Sequence, residues 1–172
     1  MTRLRQVLVS GAAVALVAFL GAGATFAQTV ELPNRHDAVK GITTAGQPSA
    51  EALAAAAKAG YKTVIDLRPQ GEDHGFDEKK TVESLGMSYV SLPVAGAAGV
   101  TYANASTLDK LLRDLPKPVL VHCSTSNRVG ALLALRAKQG GADDKAALEV
   151  GVASGLAGLK SAVEQKLATG HD

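Results

Sequence analysis

Sulfur and aromatic rings are scarce in this chain. It has one cysteine, Cys123, and therefore no disulfide within itself. Three tyrosines, three phenylalanines and no tryptophan give little material for a deep aromatic-walled cleft. A strong charge of one sign is missing too, since 18 Lys+Arg face 16 Asp+Glu for a formal net charge of +2. The basic residues do not cluster, which argues against a nucleic-acid partner. His36, His74, His122 and His171 show no ligand-like spacing with Cys123, so neither a metal nor another cofactor is expected.

One long apolar run is present, at the start. Arg3 and Arg5 precede an apolar core from Val7 to Phe19, and Thr25-Phe26-Ala27 offers small residues flanking a cleavage point. This pattern predicts a secretory signal peptide over residues 1–27. The core is short of the ~20 residues a spanning helix wants, and Gly21 and Gly23 break it. The expectation is an exported protein, periplasmic or secreted, with no stable membrane insertion once the signal is removed. Residues 28–172 are then a single domain, long enough for one sizeable core. The signal carries two of the 18 basic residues and none of the acidic ones, so the remaining domain has no net charge. A lone thiol in an oxidising compartment risks oxidation, and its retention points to a use.

Beyond the signal, strand-like and helix-like segments alternate. Val30 to Leu32 and Gly41 to Thr44 read as short extended pieces. Ser49 caps a helix over 50–59, and the β-branched run Tyr61 to Leu67 is a buried strand. A charged loop from Arg68 to Phe76 follows, then a helix capped by Asp77 and ending near Leu85. Met87 to Leu92 forms the next strand, and Val94 to Val100 is a glycine-rich connector that composition would allow to be mobile. Helices are expected over 105–114, 128–139, 144–153 and 159–168, with the strand that leads to Cys123 between the first two. The pattern predicts an α/β fold: a parallel-rich central sheet of about four to five strands, flanked by helices and carrying a helical C-terminal extension. In such sheets ligands sit at the carboxyl ends of the strands, where His122, Cys123 and the loop after Leu67 fall.

The densest chemistry lies in Val119-Leu120-Val121-His122-Cys123-Ser124-Thr125-Ser126-Asn127-Arg128. An apolar strand delivers the thiol into a turn of small polar residues, and a helix follows at once. A free cysteine is mostly protonated at neutral pH, and a helix N-terminus supplies unpaired N–H groups that favour the thiolate. Those amides also form a nest for a tetrahedral anion. Ser124, Thr125, Ser126 and Asn127 are small enough to turn their amides inward, which makes them the expected phosphate-binding residues. Arg128 adds a planar fork that grips two anion oxygens. Cys123 therefore reads as nucleophile and Arg128 as oxyanion clamp. His122 is expected either to orient the thiolate or to serve as a structural hydrogen-bonder.

Ile42-Thr43-Thr44-Ala45-Gly46-Gln47-Pro48, Gly60 to Arg68, and His122-Cys123 through Arg128-Val129-Gly130 occur in an order that resembles the bacterial beta-lactamase-hydrolase-like phosphatases. These are a branch of the dual-specificity and tyrosine phosphatase-like proteins. The resemblance runs from about Val39 to Lys138. It implies a phosphatase-like fold and a cysteine-dependent phosphomonoesterase acting on a phosphorylated protein or small molecule. The chain departs from the usual tyrosine phosphatase loop in three ways. Four residues rather than five separate Cys123 from Arg128, a serine stands where glycine is common (Ser126), and Val129 replaces a hydroxyl residue. No carboxylate follows the strand ending at Leu92, where related phosphatases often present an acid. Glu72, Asp73 and Asp77 are the substitutes, of which Asp73 is chosen as the expected general acid. Asp66 and Arg68 are expected to brace the loop or pair with each other. Two other readings remain: a sulfurtransferase cycling through a Cys123 persulfide, which the short loop favours, and an oxyanion-binding module that lost its acid.

Overall fold

Short β-branched runs and alanine- or leucine-rich stretches resolve into five strands and six helices among residues 30–170, the residues described by a computed structural model. The expected signal peptide and His171 lie outside the described residues. The strands are β1 (His36–Val39), β2 (Ile42–Ala45), β3 (Thr63–Asp66), β4 (Ser88–Ser91) and β5 (Val119–His122). The helices are α1 (Ala50–Lys58), α2 (Glu78–Ser84), α3 (Tyr102–Asp114), α4 (Asn127–Gln139), α5 (Asp144–Ala153) and α6 (Lys160–Thr169).

The strands form one mixed sheet in the order β1-β2-β5-β3-β4. β2, β5, β3 and β4 run parallel, and β1 is an antiparallel edge. All four residues of β2, β3 and β5 are buried, as expected of strands covered on both faces. The register sets Ala45, His122 and Asp66 side by side in one row. The carboxyl ends of three adjacent strands therefore finish level, and the segments that follow them meet.

One apolar cluster joins Ile65, Leu108, Leu112, Val121 and Leu132 on one side of the sheet. Another joins Leu53, Ala56, Val64, Val82 and Leu120, from the alternate strand positions, on the other. α4 crosses α5 closely, because a Cβ on Gly130 would lie 2.3 Å from Leu156 N and 2.6 Å from Gly151 O.

Three expectations shift. Val30 and Leu32 are core residues rather than a strand, and the edge strand is made by 36–39 instead. The third helix starts at Tyr102, since the Thr101 hydroxyl accepts from Asn104 N. The glycine-rich segment after Leu92 is a pinned connector. Val94 N donates to Leu67 O at 2.9 Å, and both Val94 and Val100 are buried. No helix among the described residues is long and apolar enough to cross a membrane.

Candidate active site

Cys123 is the first residue beyond β5, and its neighbours fasten it from both sides. Its N–H donates to Ala45 O at 3.3 Å, and Leu67 N donates to His122 O at 2.9 Å. The polar turn then leans on the segment after β2. Gln47 N donates to Ser124 O at 3.2 Å, and Gly46 bridges Thr125. A Cβ on Gly46 would stand 2.9 Å from Ser124 O, so the closeness of the two segments depends on glycine there.

Ser126 takes the left-handed conformation, with φ +66, before α4 begins. Its hydroxyl donates to Ser154 O at 3.1 Å, and Thr44 Oγ1 donates to the same carbonyl at 2.9 Å. These bonds hold a conformation that costs a non-glycine residue about 1–2 kcal/mol. Asn127 Oδ1 accepts from Ala157 N at 2.8 Å and Leu159 N at 3.3 Å. Ser126 makes no side-chain cap, which leaves the first-turn amides of α4 facing the turn. Gly155, at φ +100, packs so tightly that a Cβ would meet Ser126 Oγ at 2.6 Å. Gly155→Ala should therefore lower stability by about 1–3 kcal/mol, and turnover more than the folded fraction explains, by pushing Ser126 out of place. Thermal melts alongside rates at a temperature where the variant stays folded check this. An unchanged rate per folded molecule would show that the turn tolerates the push.

Arg128, on the first turn of α4, reaches back over the turn. Nη1 lies 2.5 Å from Glu72 Oε1, and Nη2 lies 2.8 Å from Oε2. Nη1 also donates to Val94 O at 3.1 Å, and Nη2 to Ser124 Oγ at 2.9 Å. Ser124 Oγ donates to Glu72 Oε2 at 2.8 Å. The hydrogen bond from Arg128 holds the Glu72 carboxyl below the usual carboxylate range, against burial and with help from Ser124. The same bond raises the Arg128 guanidinium, against burial, and Cys123 adds to the rise. A strand-end cysteine before a helix N-terminus, with a guanidinium fork paired to the Glu72 carboxylate, is thus assembled.

Residues 25–165 match the family described as DSP-PTPase phosphatase fused to NAD+ kinase. The chain belongs to this phosphatase family. A beta-lactamase hydrolase-like protein of Agrobacterium fabrum is 31% identical to this chain over 98 residues, covering 55% of the chain and 22% of the relative. The chain thus matches under a quarter of that relative's length. Among solved structures, a phosphatase candidate from Neisseria meningitidis superposes with a TM-score of 0.65 at 20% identity, covering 76% of this chain and 96% of that one. P. aeruginosa TpbA, solved with pTyr, superposes at 0.52 with 21% identity, covering 78% and 90%. At these identities the superpositions establish the fold, a five-stranded mixed sheet flanked by helices.

Behind the loop the chain buries a charged cluster. Arg68 pairs with Asp66 through Nε to Oδ1 and Nη2 to Oδ2, each at 2.9 Å. Its Nη2 also contacts Glu78, a buried residue of α2 that no local pattern in the sequence marks. His122 Nε2 stands 2.7 Å from Glu78 Oε1 and 3.8 Å from Asp66 Oδ1. Tyr89 OH donates to Asp66 Oδ2 at 3.1 Å, and burial together with that carboxylate pushes the phenol up. Burial pushes the Asp66 carboxyl up, but the hydrogen bonds from Arg68, with its charge and the neighbouring His122, outweigh it and hold it below its usual value. Asp66, His74 and Glu78 bring ligand atoms within 4.8 Å of one another, as a metal site would. Arg68 Nη2 already lies on both carboxylates, where the cation would sit.

The three candidate acids separate clearly. Asp73 Oδ1 accepts from Gly75 N at 2.8 Å, so its carboxylate braces its own loop in the structure. Asp77 caps α2 by accepting from Lys80 N at 3.0 Å. Glu72 alone of the three bonds to Arg128. No periodicity marks Glu72 in the sequence, because its position depends on a loop that folds across from another strand.

Proposed function

We propose that this phosphatase is a cysteine-dependent phosphomonoesterase working through a phosphocysteine. The observation that carries the reading is the two-pronged grip of Arg128 on the Glu72 carboxylate at the mouth of the turn holding Cys123, a geometry that two phosphoryl oxygens also fit. In the first step Cys123 Sγ forms a bond to phosphorus as the bond to the leaving oxygen breaks. Arg128 and the amides from Ser124 to Asn127 hold the equatorial oxygens. A carboxyl of the 68–76 loop protonates the leaving oxygen. In the second step water attacks phosphorus, the S–P bond breaks, and inorganic phosphate leaves with the thiolate restored.

The substrate is a phosphorylated protein or small molecule; the TpbA complex with pTyr supports a phosphorylated substrate without choosing between them. The signal-like start supports action outside the cytoplasm. One observation favours a second reading, transfer of sulfur through a Cys123 persulfide. Four residues rather than five separate Cys123 from Arg128, which makes a smaller anion cradle.

A paired assay on the reduced, metal-free protein separates the two. We expect phosphate release from p-nitrophenyl phosphate and no thiocyanate from thiosulfate and cyanide. Thiocyanate without phosphate release would replace the phosphatase chemistry with sulfur transfer. Silence in both arms would reduce the site to an oxyanion binder.

A further inference from the structure

We propose that Glu72 is the acid–base catalyst of this site, and that without substrate its carboxylate lies in the anion cradle as an internal substitute for phosphate. The inference rests on the phosphomonoesterase reading and adds to it the residue and the event that arms it.

The carboxylate uses the donors that substrate needs. Both oxygens lie on the Arg128 fork, and Oε2 also accepts from Ser124 Oγ. A planar carboxylate and two oxygens of a phosphoryl group match a guanidinium in the same way, so the two compete for Arg128. Space is available for the exchange. The Glu72 side chain is 35% exposed, against 9% for Arg128, and a Cβ on Gly71 would touch nothing within 4 Å.

Displacement changes the chemistry of the carboxyl. The groups around it are Arg128 of α4, Ser124 of the turn and, more distantly, Arg68 at the end of β3. Paired with Arg128 it is ionised and has no proton to give. When phosphate takes Arg128, Glu72 loses its counter-cation and gains an anionic neighbour, and both effects favour the protonated form. Substrate binding thus turns a clamped carboxylate into an acid beside the scissile bond. Glu72 gives its proton to the leaving oxygen as the P–O bond breaks. The resulting carboxylate then takes a proton from the water that attacks phosphocysteine, and the electron pair of the S–P bond returns to sulfur.

Two measurements test this. The first is sulfate binding by calorimetry to Cys123→Ser and to Cys123→Ser/Glu72→Ala, across the acidic pH range. Sulfate should bind the double variant about tenfold tighter near neutral pH, the effect of one removed competitor for a charge-assisted fork. In the single variant the affinity should rise as pH falls and Glu72 releases Arg128; in the double variant that rise should vanish. Equal affinities with equal pH slopes would overturn the cradle occupancy.

The second measurement compares Glu72→Gln with the unmutated protein on p-nitrophenyl phosphate and on an alkyl phosphate. The deficit on the alkyl ester should reach ~10²–10⁴-fold and be far smaller on the aryl ester, whose leaving group needs no proton. Cys123-dependent turnover with equal deficits on both, or a leaving-group effect that follows Asp73→Asn instead, would overturn the acid assignment while the phosphatase reading stood. Absence of any Cys123-dependent phosphate release would overturn both.

Discussion

Cys123→Ser should abolish phosphate release, with a loss on the order of 10⁴–10⁶-fold, the scale seen when a covalent nucleophile is removed. The exchange alters one atom at a position 1% exposed, inside the main apolar cluster, so the fold should persist. A hydroxyl is hardly ionised at neutral pH and lacks the intrinsic nucleophilicity of sulfur. The donors of the anion cradle are the Arg128 guanidinium, the Ser124 hydroxyl and the turn amides, all kept in the variant, so it should still bind phosphate or sulfate. Loss of turnover with binding retained is the signature of a nucleophile, and loss of both would mean the substitution had damaged the loop. Acid quenching of the unmutated protein during turnover should trap a phosphoryl group on Cys123, detectable by mass spectrometry. Retained activity in Cys123→Ser would end the phosphocysteine mechanism.

Arg128→Lys should cost about 10²–10³-fold in kcat/KM, comparable to removing an oxyanion-hole donor. The positive charge survives, but the planar fork does not. Arg128 uses two terminal nitrogens to reach both oxygens of Glu72, the Ser124 hydroxyl and Val94 O at once. An ammonium is a point charge on a flexible stem and cannot span those partners in one plane. The same change weakens the hold on Glu72, so its carboxyl should titrate nearer the ordinary carboxylate range. Activity within about tenfold of the unmutated protein would mean that charge alone suffices and that the bidentate geometry is incidental.

Much of this arrangement was visible in the linear chain because it is local. The run from Val119 to Arg128 holds strand, turn and helix start within ten residues, and each part follows from residue type. β5 is continuous apolar sequence, the turn is small and polar, and α4 follows directly. The run Ile42 to Pro48 was legible only as a resemblance. Its physical meaning emerges from packing, where Gly46 and Gln47 back the cysteine loop.

Other features were hidden because they join distant segments. Glu78 looks like a surface residue in the first turn of a helix, yet it is buried against Arg68 and near His122. Ser126 could be recognised as a departure from glycine, but not how it is tolerated. Thr44 and the adjacent pair Ser154 and Gly155 supply that support from two distant places along the chain.

By itself, the sequence determined the alternation of strands and helices, the lone thiol before a helix, and the arginine that closes its turn. Periodicity and turn chemistry act over a few residues and need no knowledge of the rest. The tertiary structure alone decided which carboxylate faces Arg128. Glu72 and Asp73 are adjacent and chemically alike, and the backbone of their loop sends one to the guanidinium and the other to Gly75 N. That choice depends on the parallel register setting Asp66 beside His122, which brings the ends of β3 and β5 level. A contact between residues 56 apart in the chain is fixed by the sheet, and no local pattern encodes it.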